Sequence, residues 1–191
     1  MKYFSAHELR DIAVSLAVLC IIFSYPDFLS NAFFLLVSFI AVGIAFIGHE
    51  LAHKFAAMRH GFWAEYRMWP QGLVLALLFA FASGGTFFFA APGAVYFAGS
   101  PFRRIGKRQL RLIGMAGICF NIVMLWSTLL IGALTGNGLF LYMATINGWL
   151  AIFNLIPIGG LDGQKLLSLD RVTWAALLVL AVAGFLMRLL F

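Results

Sequence analysis

Four apolar runs, Asn31 to about Ala57, Leu110 to Leu134, Leu139 to Ile156 and Val172 to Leu190, are each about as long as a helix that crosses a bilayer. That length is about 20 residues, because the hydrocarbon core is about 30 Å thick and an α-helix rises about 1.5 Å per residue. The surroundings offer no soluble alternative. Only 10% of the residues are charged and 63% are hydrophobic, whereas a soluble domain carries about 25% charged residues. A water-soluble globule, a disordered tail and an ordinary nucleic-acid module are thereby excluded. The chain reads as an all-α polytopic membrane protein, a single domain over 1–191, with the bilayer as its main solvent.

Two shorter runs decide the number of spans. Ile12 to Phe23 spans only marginally before Tyr25-Pro26-Asp27 breaks it, and Gly72 to Ala82 is too short to cross unaided. The net charge of +6 is placed unevenly. Lys2 and Arg10, then Lys54, Arg59 and Arg67, then Arg103, Arg104, Lys107, Arg108 and Arg111, and finally Lys165 and Arg171 occupy alternate loops. The turns at 24–30 and 135–138 carry no basic residue. Basic loops face the cytoplasm. This pattern predicts five transmembrane helices, a cytoplasmic N-terminus and a re-entrant element between the second and third spans. Six spans follow if Gly72–Ala82 crosses.

Within the re-entrant region, Thr86–Ala91 and Ala94–Ala98 flank Pro92-Gly93 and read as a small β-hairpin; Phe62 to Met68 alternates imperfectly. Open strand edges cannot face lipid, so this β element must pack in protein or line a wet cavity. Cys20 and Cys119 lie inside apolar runs without a CxxC partner, which argues against a disulfide framework. No small-residue cleavage site follows the first apolar run, so no cleavable signal peptide is expected.

His49-Glu50-Leu51-Ala52-His53 carries the chemistry. On a helix, residues four apart share a face, so both imidazoles reach one metal, and Glu50 stands where a general base for a metal-activated water is needed. The motif lies about ten residues before Arg59, roughly 15 Å from the helix end. At that depth each ionisable group costs at least about 2.5–3.5 kcal/mol. Metal coordination in a wetted cavity offsets that cost; helix packing does not. A catalytic zinc site takes three protein ligands. His7, in the partial look-alike His7-Glu8-Leu9-Arg10-Asp11, reads as a surface amphipathic turn, and His60 as a solvated helix end. Asp162, after Pro157 and the pair Gly159-Gly160, reads either as a ligand presented from a broken segment or as the N-cap of a short helix Gly163–Leu169.

H-E-x-x-H on a membrane helix, followed about a hundred residues later by N-x-x-P-x-x-x-L-D-G (Asn154 through Gly163), resembles the site-2 protease family of intramembrane zinc metalloproteases. Arg59-His60-Gly61-Phe62 and Ala116-Gly117-Ile118-Cys119-Phe120-Asn121 resemble further family segments. The last matches a G-x-x-x-N pattern, with Ile118 where proline is often found. The likeness covers about residues 31–170 and is to the compact prokaryotic or archaeal type, without PDZ-like or CBS-like domains. It implies one Zn²⁺ per chain held by His49, His53 and Asp162, with Glu50 as base and acid. Asn154 and Asn121 become polar supports beside the cleft, and Pro92 and Gly93 part of a β element that holds substrate extended. The implied partners are transmembrane protein substrates in the lipid of a cell membrane, with no nucleic acid; the implied active site faces the cytoplasmic side. A membrane metal-ion transporter or metal-binding channel using the same cluster is the alternative function.

Overall fold

In the computed structural model, which describes residues 3–87, 89, 91–99 and 105–191, the chain is a helical bundle with one small sheet. The helices are α1 (Ala6–Ser24), α2 (Phe33–Val42), α3 (Gly48–Arg59), α4 (Pro70–Ala82), α5 (Lys107–Thr135), α6 (Gly138–Leu155), α7 (Asp162–Leu169) and α8 (Arg171–Arg188). Strand β1 is Trp63–Met68 and strand β2 is Gly93–Ala98. A π-helical stretch, Gly43–Ile47, joins α2 to α3, so Phe33–Arg59 forms one 27-residue apolar helix. Among the described residues, four helices are long and apolar enough to cross a membrane: Phe33–Arg59, α5, α6 and α8. They coincide with the four long runs of the sequence. The marginal first run lies in α1, which is 19 residues long and carries Glu8, Arg10 and Asp11 in its first two turns.

The outward faces are apolar. Phe33, Leu36 and Phe39 on α2, Val123, Leu130 and Leu134 on α5, and Val172, Val179 and Leu186 on α8 are all exposed. In water such faces would drive association; facing lipid they are solvated. Inside, α5 and α6 form an antiparallel pair joined through Gly136, whose φ of 66° permits the tight reversal. Buried small residues bring neighbouring backbones close: a Cβ at Gly132 would lie 2.6 Å from Leu141, and one at Gly148 would lie 2.9 Å from Phe185.

The β element differs from the expected hairpin. β2 pairs antiparallel with β1, in the register Met68↔Gly93 through Trp63↔Ala98. The described residues of the 86–91 run form no strand, while Phe88 and Ala90 of that run, like Arg103 and Arg104 of the basic cluster, lie outside the described residues. Pro92-Gly93 therefore opens β2 and is not a hairpin turn. Trp69 N–H donates to Pro92 O at 2.7 Å, and a side chain at Gly93 would collide with the Arg67 carbonyl and the Tyr66 ring, so only glycine fits this rung. The alternation noted over 62–68 marks the true partner strand. Between the strands the chain makes an excursion through α4. Tyr25, just past α1, packs its ring on Phe81 at 4.9 Å near the far end of α4, and Ala76 and Ala80 bury against Ile22. The excursion begins at Met68 and ends at its Cα partner Gly93.

The other edge of β1 is closed by α1. Tyr66 N–H donates to Glu8 Oε1 at 3.0 Å and Met68 N–H to Asp11 Oδ2 at 3.2 Å. Lys54 Nζ donates to Glu8 Oε1 at 2.6 Å, and Ser15 shares a hydrogen bond with Tyr66 Oη at 2.9 Å. Glu8 is 0% and Lys54 2% exposed. The expectation of an exposed turn at His7–Asp11 is thus corrected: its two acids are buried, because an unpaired strand edge beside lipid needs acceptors.

Candidate metal centre

His49 and His53 stand one helical turn apart on α3, immediately after the π-helical stretch, and face α5. π turns change which side chains share a helix face and recur at functional sites. Asp162 arrives from the opposite side as the first residue of α7, following a turn in which Gly159 and Gly160 take φ of 64° and 81°. The turn is pinned from both ends: Gly160 N–H donates to Gln164 Oε1 at 2.8 Å, and Trp174 Nε1–H to Leu155 O at 2.8 Å. Gly163 lies so close to the Leu155 carbonyl that a side chain there would not fit. Asp162 does not cap its own helix, contrary to the N-cap reading; its carboxylate points at the histidines.

The convergence is tight. Asp162 Oδ2 lies 2.7 Å from His53 Nε2 and 3.5 Å from His49 Nε2, and the two Nε2 atoms are 3.0 Å apart. A tetrahedral zinc with bonds of about 2.0–2.1 Å has donor–donor edges of about 3.3 Å, so the three separations bracket that value. Among the described residues this is the one group of three such side chains able to hold a metal ion.

The hydrogen bonds behind the imidazoles fix their state. His53 Nδ1 faces the Ile113 carbonyl at 2.7 Å and His49 Nδ1 faces Asn121 Oδ1 at 2.6 Å. The Asn121 amide is itself oriented, because its Nδ2 donates to Ala45 O and to Asn147 Oδ1, both at 3.0 Å. Asn147 Nδ2 in turn donates to Met143 O at 2.9 Å. Both Nδ1 atoms therefore carry a proton, so the neutral form of each imidazole presents the Nε2 lone pair toward Asp162. Two Nε2 atoms and a carboxylate oxygen that converge in this way match the donor set of a divalent-metal site, and the residues fit such an ion. α5 accommodates the pair only because residue 117 is glycine. A Cβ at Gly117 would fall 2.7 Å from His49 Nε2 and closer still to His53 Nε2.

A cavity of about 280 Å³ opens from this cluster. Glu50 lines it with the two histidines, together with Asn154 and Gly93. β2 supplies one wall through Ala94, Val95 and Phe97; α5 and α7 supply the others. A smaller recess shares His49, Glu50, Gly93 and Asn154 with this cavity and is lined in addition by Pro92 and Leu161. Thus the fold gathers every residue singled out in the sequence: His49, Glu50, His53 and Asp162 at the centre, Asn121 behind His49, and Asn154, Pro92 and Gly93 on the walls. Lys165 Nζ stands 3.4 Å from Asp162 Oδ1 at the rim. Sequence reasoning missed Asn147 and the Ile113 carbonyl. Asn147 carried a usable signal, since it lies seven residues before Asn154 and so on the same face of α6.

No family model and no solved structure matches the chain. A protein of Methanocaldococcus jannaschii named "Putative zinc metalloprotease" is 34% identical over 193 residues, covering 98% of this chain and 97% of that protein. End-to-end similarity at that level, with both motifs meeting in a single His-His-Asp cluster, shows that the chain belongs to the site-2 protease-like family of zinc metalloproteases.

Proposed function

We propose that the protein is an intramembrane zinc metalloprotease that hydrolyses peptide bonds in transmembrane segments of other membrane proteins. His49, His53 and Asp162 hold one zinc ion, and Glu50 is the general base and acid. Zinc held by these three residues would supply Lewis acidity at the scissile carbonyl and would make a water nucleophilic near neutral pH. Glu50 takes a proton from the attacking water as oxygen adds to the scissile carbonyl carbon. It returns that proton to the amine nitrogen as the C–N bond breaks. Asn121 and the Ile113 carbonyl hold the imidazoles in the tautomer that presents Nε2.

A transmembrane substrate hides its carbonyls in helical hydrogen bonds and must unwind before it is attacked. β2 offers the unwound chain a partner. One side of β2 is paired with β1, β1's far edge is occupied by Glu8 and Asp11, and the β2 residues Gly93, Ala94, Val95 and Phe97 line the cavity that contains the metal cluster. Addition of a substrate strand to this edge is β-augmentation. The two neutral turns and the basic loops further support a cell-membrane protein with its N-terminus and active site toward the cytoplasm.

The observation that carries the proposal is the placement of Glu50 at the head of a cleft that joins an oriented His-His-Asp cluster to a strand edge. Purified protein is assayed for zinc stoichiometry and for cleavage of tagged membrane-spanning peptides in detergent and in vesicles. Glu50→Gln keeps about one zinc per chain and loses two to four decades of rate. His49→Ala with His53→Ala loses the zinc. Unchanged cleavage by Glu50→Gln would overturn the assignment, and zinc-dependent ion flux without proteolysis would favour the transporter.

A further inference from the structure

We infer that Gly114 determines which substrates the cleft accepts: the space left by its missing side chain is a subsite for one bulky apolar side chain of the substrate, within two residues of the scissile bond. This rests on the proteolytic function proposed above and adds to it the side chain that is selected.

Glycine in the interior of a helix is among the poorest helix formers, so each one in α5 calls for a reason. At Gly117 the reason is the two imidazoles, and at Gly132 it is Leu141. At Gly114 packing supplies none. Among the described residues, an added Cβ there meets no atom within 4 Å. The residue nevertheless lines the cavity that holds the metal cluster, so the open space is cavity space. Gly114 lies three residues from Gly117, about 4.5 Å farther along α5, which is between one and two residues of an extended chain at about 3.3 Å each.

The surroundings define what enters. Val95 and Phe97 come from β2, Leu110 from the preceding turn of α5 and Leu169 from the end of α7; all four line the same cavity. The polar groups Asp162, Lys165 and Ser168 stand together on α7. Successive side chains of an extended substrate point to opposite faces. A strand laid on β2 therefore turns alternate side chains toward α5, and Gly114 receives one of them.

The test uses full-length protein and a set of membrane-spanning peptides. The cleaved bond is first mapped by mass spectrometry with wild-type protein. Alanine, valine, leucine and phenylalanine are then placed at each of the three positions on either side of it. Cleavage is read as kcat/KM; binding is read by fluorescence anisotropy in the Glu50→Gln background, with zinc content and thermal stability measured in parallel. Wild-type protein prefers leucine or phenylalanine over alanine at one position by tenfold or more, the range expected for a methylene-sized difference in an apolar pocket. Gly114→Leu erases or reverses that preference at that position alone, in both readouts, while about one zinc per chain is retained. Gly114→Ala shifts it by a few-fold in the same direction; adding one carbon in open space and improving helix propensity, it carries the comparison if the leucine variant does not fold. An unchanged preference profile in a zinc-loaded Gly114 variant overturns the inference and leaves the protease assignment standing. Absence of cleavage by wild type, with a binding profile that still shifts at Gly114, overturns the protease and leaves the subsite.

Discussion

An imidazole donates a lone pair from one nitrogen only when the other holds the proton, and in this protein the proton's place on His49 is set by Asn121, which is itself held by Asn147. The chain of donors runs from His49 through Asn121 to Asn147: His49 Nδ1–H donates to Asn121 Oδ1, and Asn121 Nδ2 donates to Asn147 Oδ1. Asn147→Leu removes one of the two acceptors that orient the Asn121 amide, leaving Ala45 O to hold it alone, and so weakens the preference for the proton on Nδ1 of His49. Loss of such an outer partner costs 10–100-fold in metal affinity. Titration against a zinc chelator should therefore show that weakening while the helical circular dichroism is unchanged; wild-type affinity would remove Asn147 from the site. The same titration checks Gly117→Ala, whose methyl intrudes between the two imidazoles and should abolish stoichiometric zinc. His49, Glu50 and His53 were legible in the sequence because their geometry is local, set by the helical period alone. Asp162 and Asn121 came through a resemblance, since their roles depend on how separate helices meet. The protonation relay was legible only in part: Asn147 shares a face of α6 with Asn154, but no spacing in the chain says that this face will lie against Asn121 of α5.

At the level of elements, the sheet shows why the strands were found and their partners were not. Periodicity and Pro-Gly punctuation are local, whereas pairing is not, and Pro92-Gly93 looks like a turn until Met68 is seen opposite Gly93. The polar stripe Glu8, Asp11 and Ser15 on α1 carried the missing information, because a row of acids on a membrane helix must face protein. Its cost makes a prediction. Lys54→Met strands a buried carboxylate that also accepts from Tyr66 N–H. Breaking one side of a buried pair costs about 3–5 kcal/mol. Thermal unfolding in detergent should show a marked loss for Lys54→Met that Glu8→Gln in the same chain partly restores. A second junction lies where α8 begins. Asp170 accepts from the Thr173 N–H and hydroxyl and pairs with Arg111 at 2.6 Å, tying α8 to the start of α5. Its hydrogen bonds to Thr173, joined by Arg111, hold the carboxyl down at about 2, against an ordinary 3.8. A carboxyl lowered on folding stabilises the folded state fully above its ordinary value and loses that effect as pH falls through the lowered one. The stability gap between wild type and Asp170→Asn should therefore be constant above about pH 4 and shrink as pH falls toward 2; a gap that widens on acidification would reverse the assignment.

For the whole molecule, one rung of the β ladder decides the topology. The spans were legible from composition because lipid imposes length and apolarity directly; the count was not, because Gly72–Ala82 is apolar enough for either layout. α4 has 13 residues, a length of about 20 Å, which falls short of the 30 Å hydrocarbon core. A crossing through it would leave β1 and β2 on opposite faces of the membrane, yet Met68 and Gly93 are Cα partners. Pairing of the strands brings the excursion back to where it began, so Trp63, before it, and Lys107, after it, are expected on the same side of the membrane. Both are exposed, as are Ser30 and Asn137 in the neutral turns. In a chain with Cys20 and Cys119 replaced by alanine, single cysteines at these four positions report sidedness through a membrane-impermeant maleimide. Five spans predict that Trp63→Cys and Lys107→Cys react from the cytoplasmic face and Ser30→Cys and Asn137→Cys from the outer face. Six spans would place Trp63 and Lys107 on opposite sides and bring the basic residues around Lys107 outside, against the charge rule. The same experiment bears on chemistry. If the two sheet-flanking positions label from one face, β2 and the His-His-Asp cluster, which line one cavity, belong to the half of the protein nearer that face, the side from which the proposed function expects an unwound substrate to be held.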